Sequence, residues 1–118
     1  MRHRNTKAIL NKPADQRRAM VRNLVTSLFL HGKVQTTNAR AKALVGEAES
    51  LITKAKKQKE SFNSIRVLEQ MLFDSQASKN AMEYIGKTKK TSGFTRSTKI
   101  KNRAGDSALL VQVDLITE

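Results

Sequence analysis

Cysteine is absent from this 118-residue chain, so disulfides, thiolate nucleophiles and thiolate metal sites are all excluded. Tryptophan is missing too, and aromatic residues make up only 4% against 38% hydrophobic residues overall. A single domain of this size with so few large side chains has little apolar surface to spare for a deep substrate pocket. The longest unbroken apolar stretch, Ala108 to Val111, falls far short of the roughly 20 residues that span a bilayer. Met1 to Lys12 begins basic with no apolar run behind it, unlike a secretory leader, so the expectation is a soluble cytoplasmic protein. The two histidines, His3 and His31, lack the spacing of a metal-ligand pair, and Gly86, Gly93 and Gly105 are isolated rather than grouped into a phosphate-cradling loop. Neither an enzyme nor a bound cofactor or metal is expected, and no small-molecule substrate or membrane partner.

The most informative shortage is of acid, and it is local. Residues 1–46 carry Arg2, Arg4, Lys7, Lys12, Arg17, Arg18, Arg22, Lys33, Arg40 and Lys42 against Asp15 alone. Residues 47–83 balance six basic side chains with six acidic ones, and residues 84–105 hold Lys87, Lys89, Lys90, Arg96, Lys99, Lys101 and Arg103 with no acid at all. Asp106, Asp114 and Glu118 close the chain, for a net charge of +13. Two acid-free stretches around a neutral middle give any compact fold a strongly positive side, and the partner this calls for is a polyanion such as RNA or DNA.

Apolar periodicity organises the rest. Residues 1–12 have no amphipathic period and read as an extended basic arm, with 13–118 as a single globular α+β domain. Pro13 suits a first helical turn and Asp15 its positive dipole end; Met20, Leu24 and Leu28 beside Val21, Val25 and Phe29 make one broad stripe, stopped by Gly32 as a left-handed cap. Lys33 to Thr37 predicts a strand, and Thr37 or Asn38 a cap for a second helix carrying Leu44, Ala48, Leu51, Ile52 and Ala55. Phe62, Ile65, Leu68 and Leu72 predict a third helix over Ser61 to Phe73; Ala77, Ala81 and Ile85 predict a fourth, ended by Gly86. Lys87 to Gly93 has loop composition. Phe94 to Lys101 predicts a polar strand joined through Asn102 to Asp106 to a last strand, whose Leu109, Val111, Val113 and Leu115 face the helices. The expected order is α-β-α-α-α-β-β. Lys56, Lys57 and Lys59 read as a solvated helix end, and Phe94 and Tyr84 as core residues.

Certain of these segments carry a resemblance. Met1-Arg2-His3-Arg4, Leu10-Asn11-Lys12, Arg18-Ala19-Met20 with Arg22-Asn23-Leu24, Thr36-Thr37 leading to Arg40-Ala41-Lys42, Glu49 with Leu51-Ile52-Thr53 and Ala55-Lys56, Gly93-Phe94-Thr95-Arg96 and Arg103-Ala104-Gly105-Asp106 run in order over almost the whole chain. Together they resemble the family of the seventeenth protein of the bacterial large ribosomal subunit. That family has His-Arg where this chain has Gln16-Arg17, and Gly-Gly where it has Ser92-Gly93. The resemblance implies a two-layer α+β fold with four helices packed on a small mixed three-stranded sheet. It also implies a structural role in binding folded large-subunit rRNA of the 23S type, with neighbouring large-subunit proteins near the nascent-peptide exit.

The candidate rRNA contacts are the cations of the acid-free stretches and the residues of the matching segments. They are Arg2, His3, Arg4, Lys7 and Lys12 in the arm; Arg17, Arg18 and Arg22 on the first helix; and Thr37, Arg40 and Lys42 at the start of the second. Lys87, Lys89, Lys90, Arg96, Lys99, Lys101 and Arg103 complete the set. Arg suits bidentate phosphate contact and stacking on bases, and structured RNA offers groove shape and phosphates that need no base reading. A nucleoid-type DNA-binding module is the alternative, though Arg40 and Lys42 alone make a thin recognition helix.

Overall fold

The computed structural model describes His3 and residues 8–117. Its elements run α1 (Ala14–His31), β1 (Lys33–Thr37), α2 (Asn38–Lys56), α3 (Ser61–Met71), α4 (Ser75–Lys87), β2 (Thr95–Asn102) and β3 (Leu109–Leu115), the expected order of an α+β protein. Pro13 occupies the N-cap of α1, where the missing N–H costs nothing, and Gly32 ends it at φ 79° with its N–H on the Leu28 carbonyl at 2.7 Å. The carbonyl of Gly32 then accepts from the Leu115 amide at 3.1 Å, so the turn that closes α1 also starts the sheet.

The sheet order is β1-β3-β2 and both pairings are antiparallel, so the sheet is not mixed as expected from the resemblance. The reason is placement: β1 and β2 do run in the same direction, but β3 lies between them and no parallel ladder can form. Val111 and Val113 are buried at the centre, with Leu109 and Leu115 packed against the same core, as the alternation predicts. A bulge between Lys99 and Lys101 shifts the register of β2 against Val111 and Leu110.

The helices cover one sheet face with Val25, Leu28, Leu44, Ala48, Ile52, Leu68, Ala77 and Ala81, all essentially solvent-free, and Phe94 is sealed among them. On α1 the buried line is Val21, Val25, Leu28 and Phe29, while Met20 and Leu24 flank it half-buried. On α3 the expected stripe is rotated. Leu68 and Leu72 are buried, but Phe62 and Ile65 are 54% and 38% exposed, because the inward row begins at Ser64. Its hydroxyl donates to the Ala55 carbonyl at 2.8 Å, so a satisfied serine takes a core position that an apolar count assigns elsewhere. Helix α3 also stops at Met71, short of Phe73, and α4 runs through Gly86 to Lys87, where the Thr88 amide closes it on the Tyr84 carbonyl at 2.9 Å. Gly86 keeps a negative φ and therefore stops nothing.

Two polar contacts tie the end of the chain to the helices. Tyr84 Oη lies 2.7 Å from the Ile116 carbonyl and 3.1 Å from that of Phe94, and its one proton serves either. Burial pushes this phenol upward in pKa. Glu49 Oε1 accepts from both the amide and the hydroxyl of Thr95 at 2.9 Å, fixing the start of β2 on α2.

The register makes a direct prediction for chemical denaturation. Val111→Ala should lose about 2 kcal/mol, while Gln112→Ala, on the uncovered face, should lose under about 1 kcal/mol. A larger loss at Gln112 would mean that the faces are reversed.

Candidate nucleic-acid interface

The candidate cations fall into four groups, and the secondary structure decides each. Arg17, Arg18 and Arg22 project from the first turns of α1, one helical turn apart, beside the core line of Val21 and Val25. Lys42 comes from α2 and lines the same cleft as these three arginines, which measures about 740 Å³. Ala8, Val21, Ala43, Gly46 and Met71 supply its apolar walls, and Glu47 is the one acid among the described residues of its lining. On the neighbouring flank of α1, Lys12 and Arg40 border a shallower hollow of about 450 Å³ with Gln16, Asn23, Ser27 and Leu24. Thr37 sits at the N-cap of α2 with extended φ and ψ, yet its side chain makes no capping hydrogen bond.

The third group is the hairpin. After Thr95, every residue of β2 is exposed, since β2 is an edge strand reaching beyond the helices. Opposed residues of an antiparallel pair share a face, so Arg96, Thr98 and Lys101 lie with Leu110, Gln112 and Asp114 on the open side of the sheet. Lys33, Gln35 and Thr37 of β1 join them there in register. Alternation puts Lys99 on the other face, opposite Val111, and the bulge that follows turns Lys101 to the open side, so the hairpin presents cations on both sides. Lys33 is the cation that segment-wise reading omitted; the period of β1, set against Asp114, is the signal for it. The fourth group, Lys87, Lys89 and Lys90, lies at and beyond the end of α4, with Lys87 and Lys89 exposed.

Arg2, Arg4 and Lys7 lie outside the described residues, and His3 is exposed. Lys12 follows a turn in which Leu10 and Asn11 take left-handed φ values of 57° and 54°, and its carbonyl accepts from Arg17 Nη1 at 3.4 Å.

Several cations have work inside the protein. Arg22 Nε donates to the Met71 carbonyl at 2.8 Å, and its guanidinium stacks 4.0 Å from the centroid of Phe73. It therefore satisfies the C-terminal end of α3 while its remaining N–H groups border the cleft. Thr26 assists from the same helix, donating to the Arg22 carbonyl at 2.7 Å and accepting from the Phe73 amide at 3.2 Å. Lys56 is no solvated helix end: its ammonium donates to the Lys90 carbonyl at 2.5 Å and lies 5.4 Å from the Phe94 ring, anchoring the basic loop. Arg103 grips Asp106 through Nε at 2.9 Å and Nη2 at 2.6 Å, bracing the hairpin turn. The guanidinium hydrogen bond, with help from the Ala108 amide, holds the Asp106 carboxyl down at about 2.

Among the described residues, no group of three or more His, Asp or Glu side chains could hold a metal, and no helix is long and apolar enough to cross a membrane. What the arrangement offers is two kinds of cation on one α+β core, some bonded within the protein and others exposed. That defines a class, the small basic α+β proteins whose exposed cations stand on a single packed core.

The profile of the ribosomal protein L17 family matches residues 20–116. The large ribosomal subunit protein bL17 of Desulforapulum autotrophicum is 38% identical across the whole of this chain and 98% of its own length. The bL17 proteins of Clostridium botulinum and Clostridium acetobutylicum are each 40% identical over 91% of this chain and 95% and 94% of theirs. The chain belongs to the ribosomal protein L17 family, whose members are structural components and not enzymes.

The geometry separates structural from surface cations in thermal melts and binding assays. Arg22→Gln should cost about 1–2 kcal/mol by freeing the Met71 carbonyl and Phe73, whereas Arg18→Gln should leave the melting temperature within about a degree. Equal effects at both positions would remove the anchoring role of Arg22.

The Asp106 carboxyl has a lowered folded pKa, so its contribution to the turn is complete above the unfolded value of about 4 and fades as pH falls toward 2. A carboxyl carbon titration should place its midpoint near 2, and Arg103→Gln should return it toward 4. An unchanged midpoint in that variant would show that the arginine is not the cause.

Proposed function

We propose that this protein is a structural constituent of the large ribosomal subunit, in the cytoplasm, and that it binds and stabilises folded large-subunit rRNA without catalysis. One observation carries the reading: Arg17, Arg18 and Lys42 meet at one cleft, while Arg96, Lys99 and Lys101 project from a hairpin on the same rigid core. Relatives that match over nine-tenths or more of the chain are named as large-subunit proteins. Residues 1–12 act as a basic arm on the RNA, with Arg2, His3, Arg4, Lys7 and Lys12 following phosphates, and 13–118 act as one globular unit. Thr37, Arg40, Lys87, Lys89, Lys90 and Arg103 extend the contact, and neighbouring large-subunit proteins share the remaining surface.

Such a surface reads shape and phosphate positions. A-form helices and folded junctions present closely spaced phosphates and 2′-hydroxyls that exposed Arg and Lys side chains can grip without base recognition. Competition binding at physiological salt tests the proposal. Folded large-subunit rRNA should outcompete random duplex DNA by about tenfold or more, and binding should weaken steeply with salt. Equal affinity for the two polymers would overturn the rRNA reading in favour of general nucleic-acid binding of the nucleoid type.

A further inference from the structure

We infer that the cleft between α1 and α2 receives a single unstacked nucleotide of the RNA, its phosphate on Arg18 and Lys42 and its base against the apolar wall. The inference rests on the rRNA reading and goes further, because it turns one part of a diffuse basic surface into a nucleotide subsite.

Size is the first support. At about 740 Å³ the cleft lies within the 300–1,000 Å³ range of sites that enclose small ligands, far larger than one phosphate needs. Composition is the second. A pure phosphate track would be polar throughout, whereas here Val21, Ala43, Met71 and the bare backbone of Gly46 give the apolar contact that a base face requires. The third support is the division of labour among the cations. Arg22 is immobilised by the Met71 carbonyl and the Phe73 ring, so its plane is a preorganised wall. Arg18 and Lys42 are exposed and, among the described residues, make no side-chain hydrogen bond or ion pair, which leaves them for phosphate. Glu47 repels phosphate but accepts from an exocyclic amine, so the base end of the site favours adenine, cytosine or guanine over uracil.

Gly46 makes the site testable. It lines the cleft from the exposed side of α2, and a Cβ placed on it meets nothing within 4 Å, so a larger side chain can stand at the cleft wall without displacing a neighbour. Gly86 on α4 has equally open surroundings and serves as the control. Both substitutions raise helix propensity, so neither should lower the melting temperature.

The experiment measures affinity of the full chain for a large-subunit rRNA transcript over a range of salt, with ultraviolet crosslinking and mass spectrometry of the complex. Gly46→Leu should weaken binding about tenfold with an unchanged salt slope, and should abolish a nucleotide adduct on Met71 that wild type and Gly86→Leu both show. Arg18→Met should weaken binding about fivefold and lower the salt slope by about one phosphate contact. Gly46→Leu binding within twofold of wild type, or a wild-type complex without an adduct on Met71, overturns the subsite and leaves the rRNA reading standing. An adduct with no affinity loss in Arg18→Met overturns the phosphate assignment. Failure of wild type to bind the transcript overturns both.

Discussion

The fold depends on β3 being held on both edges. Among the described residues it is the only strand with two partners, and Val111 and Val113 are the fully buried side chains through which the sheet grips the helices. Strand β1 is separated from it by most of the chain, so the sheet cannot form until the last strand slots between two that precede it. The contacts that lock it in are polar and specific: Leu115 to the Gly32 carbonyl, and Tyr84 to Ile116 and Phe94. Because these lie at the helix-covered end, the opposite end of β2 and β3 is free to project as a basic hairpin. Its exposure follows from where the helices stop.

That anchoring also sorts the cations. Arg22, Lys56 and Arg103 each satisfy a carbonyl or carboxylate of the protein itself, at the end of α3, in the basic loop and in the hairpin turn. Arg22 and Lys56 give partners to backbone carbonyls, and Arg103 holds the carboxylate that accepts from the Ala108 amide. Arg18, Lys42, Arg96, Lys99 and Lys101 have no such duty among the described residues and stand exposed on the frame the first set holds. Net charge alone does not reveal this division, since a single arginine can serve both purposes: Arg22 spends one N–H on Met71 and still borders the cleft.

Much of the fold was legible because periodicity is a local property. The bounds of β1, the cap at Gly32 and the inward face of β3 all follow from spacing within a few residues. What escaped depended on partners distant in sequence. Ser64 is inward because Ala55 offers a carbonyl, so Phe62 and Ile65 turn outward although they look like core. Gly86 failed as a stop because a lone glycine ends a helix only when the following backbone needs a positive φ, and here it does not. The antiparallel sheet depended on which strand takes the centre, a matter of long-range packing. For the interface, the charge blocks gave the residue types, but neither the meeting of Arg18 with Lys42 nor the bulge that parts Lys99 from Lys101 is visible in one dimension.

The few acids on the basic surface have a positional logic of their own. Asp106 is clasped by Arg103, Asp114 lies in register between Lys33 and Arg96, and Glu47 borders the cleft of Arg17 and Arg18. Without them, cations this dense would repel one another and splay into solvent. Among the described residues Arg103 and Asp106 alone close to an ion pair, which holds the hairpin turn, while Asp114 and Glu47 lower the local repulsion without fixing a side chain. The remaining repulsion, from a net charge of +13, is relieved by counterions or by a polyanion. Cations set in register on the sheet and one turn apart on α1 form a patterned positive surface, and the backbone rather than ion pairing fixes that pattern.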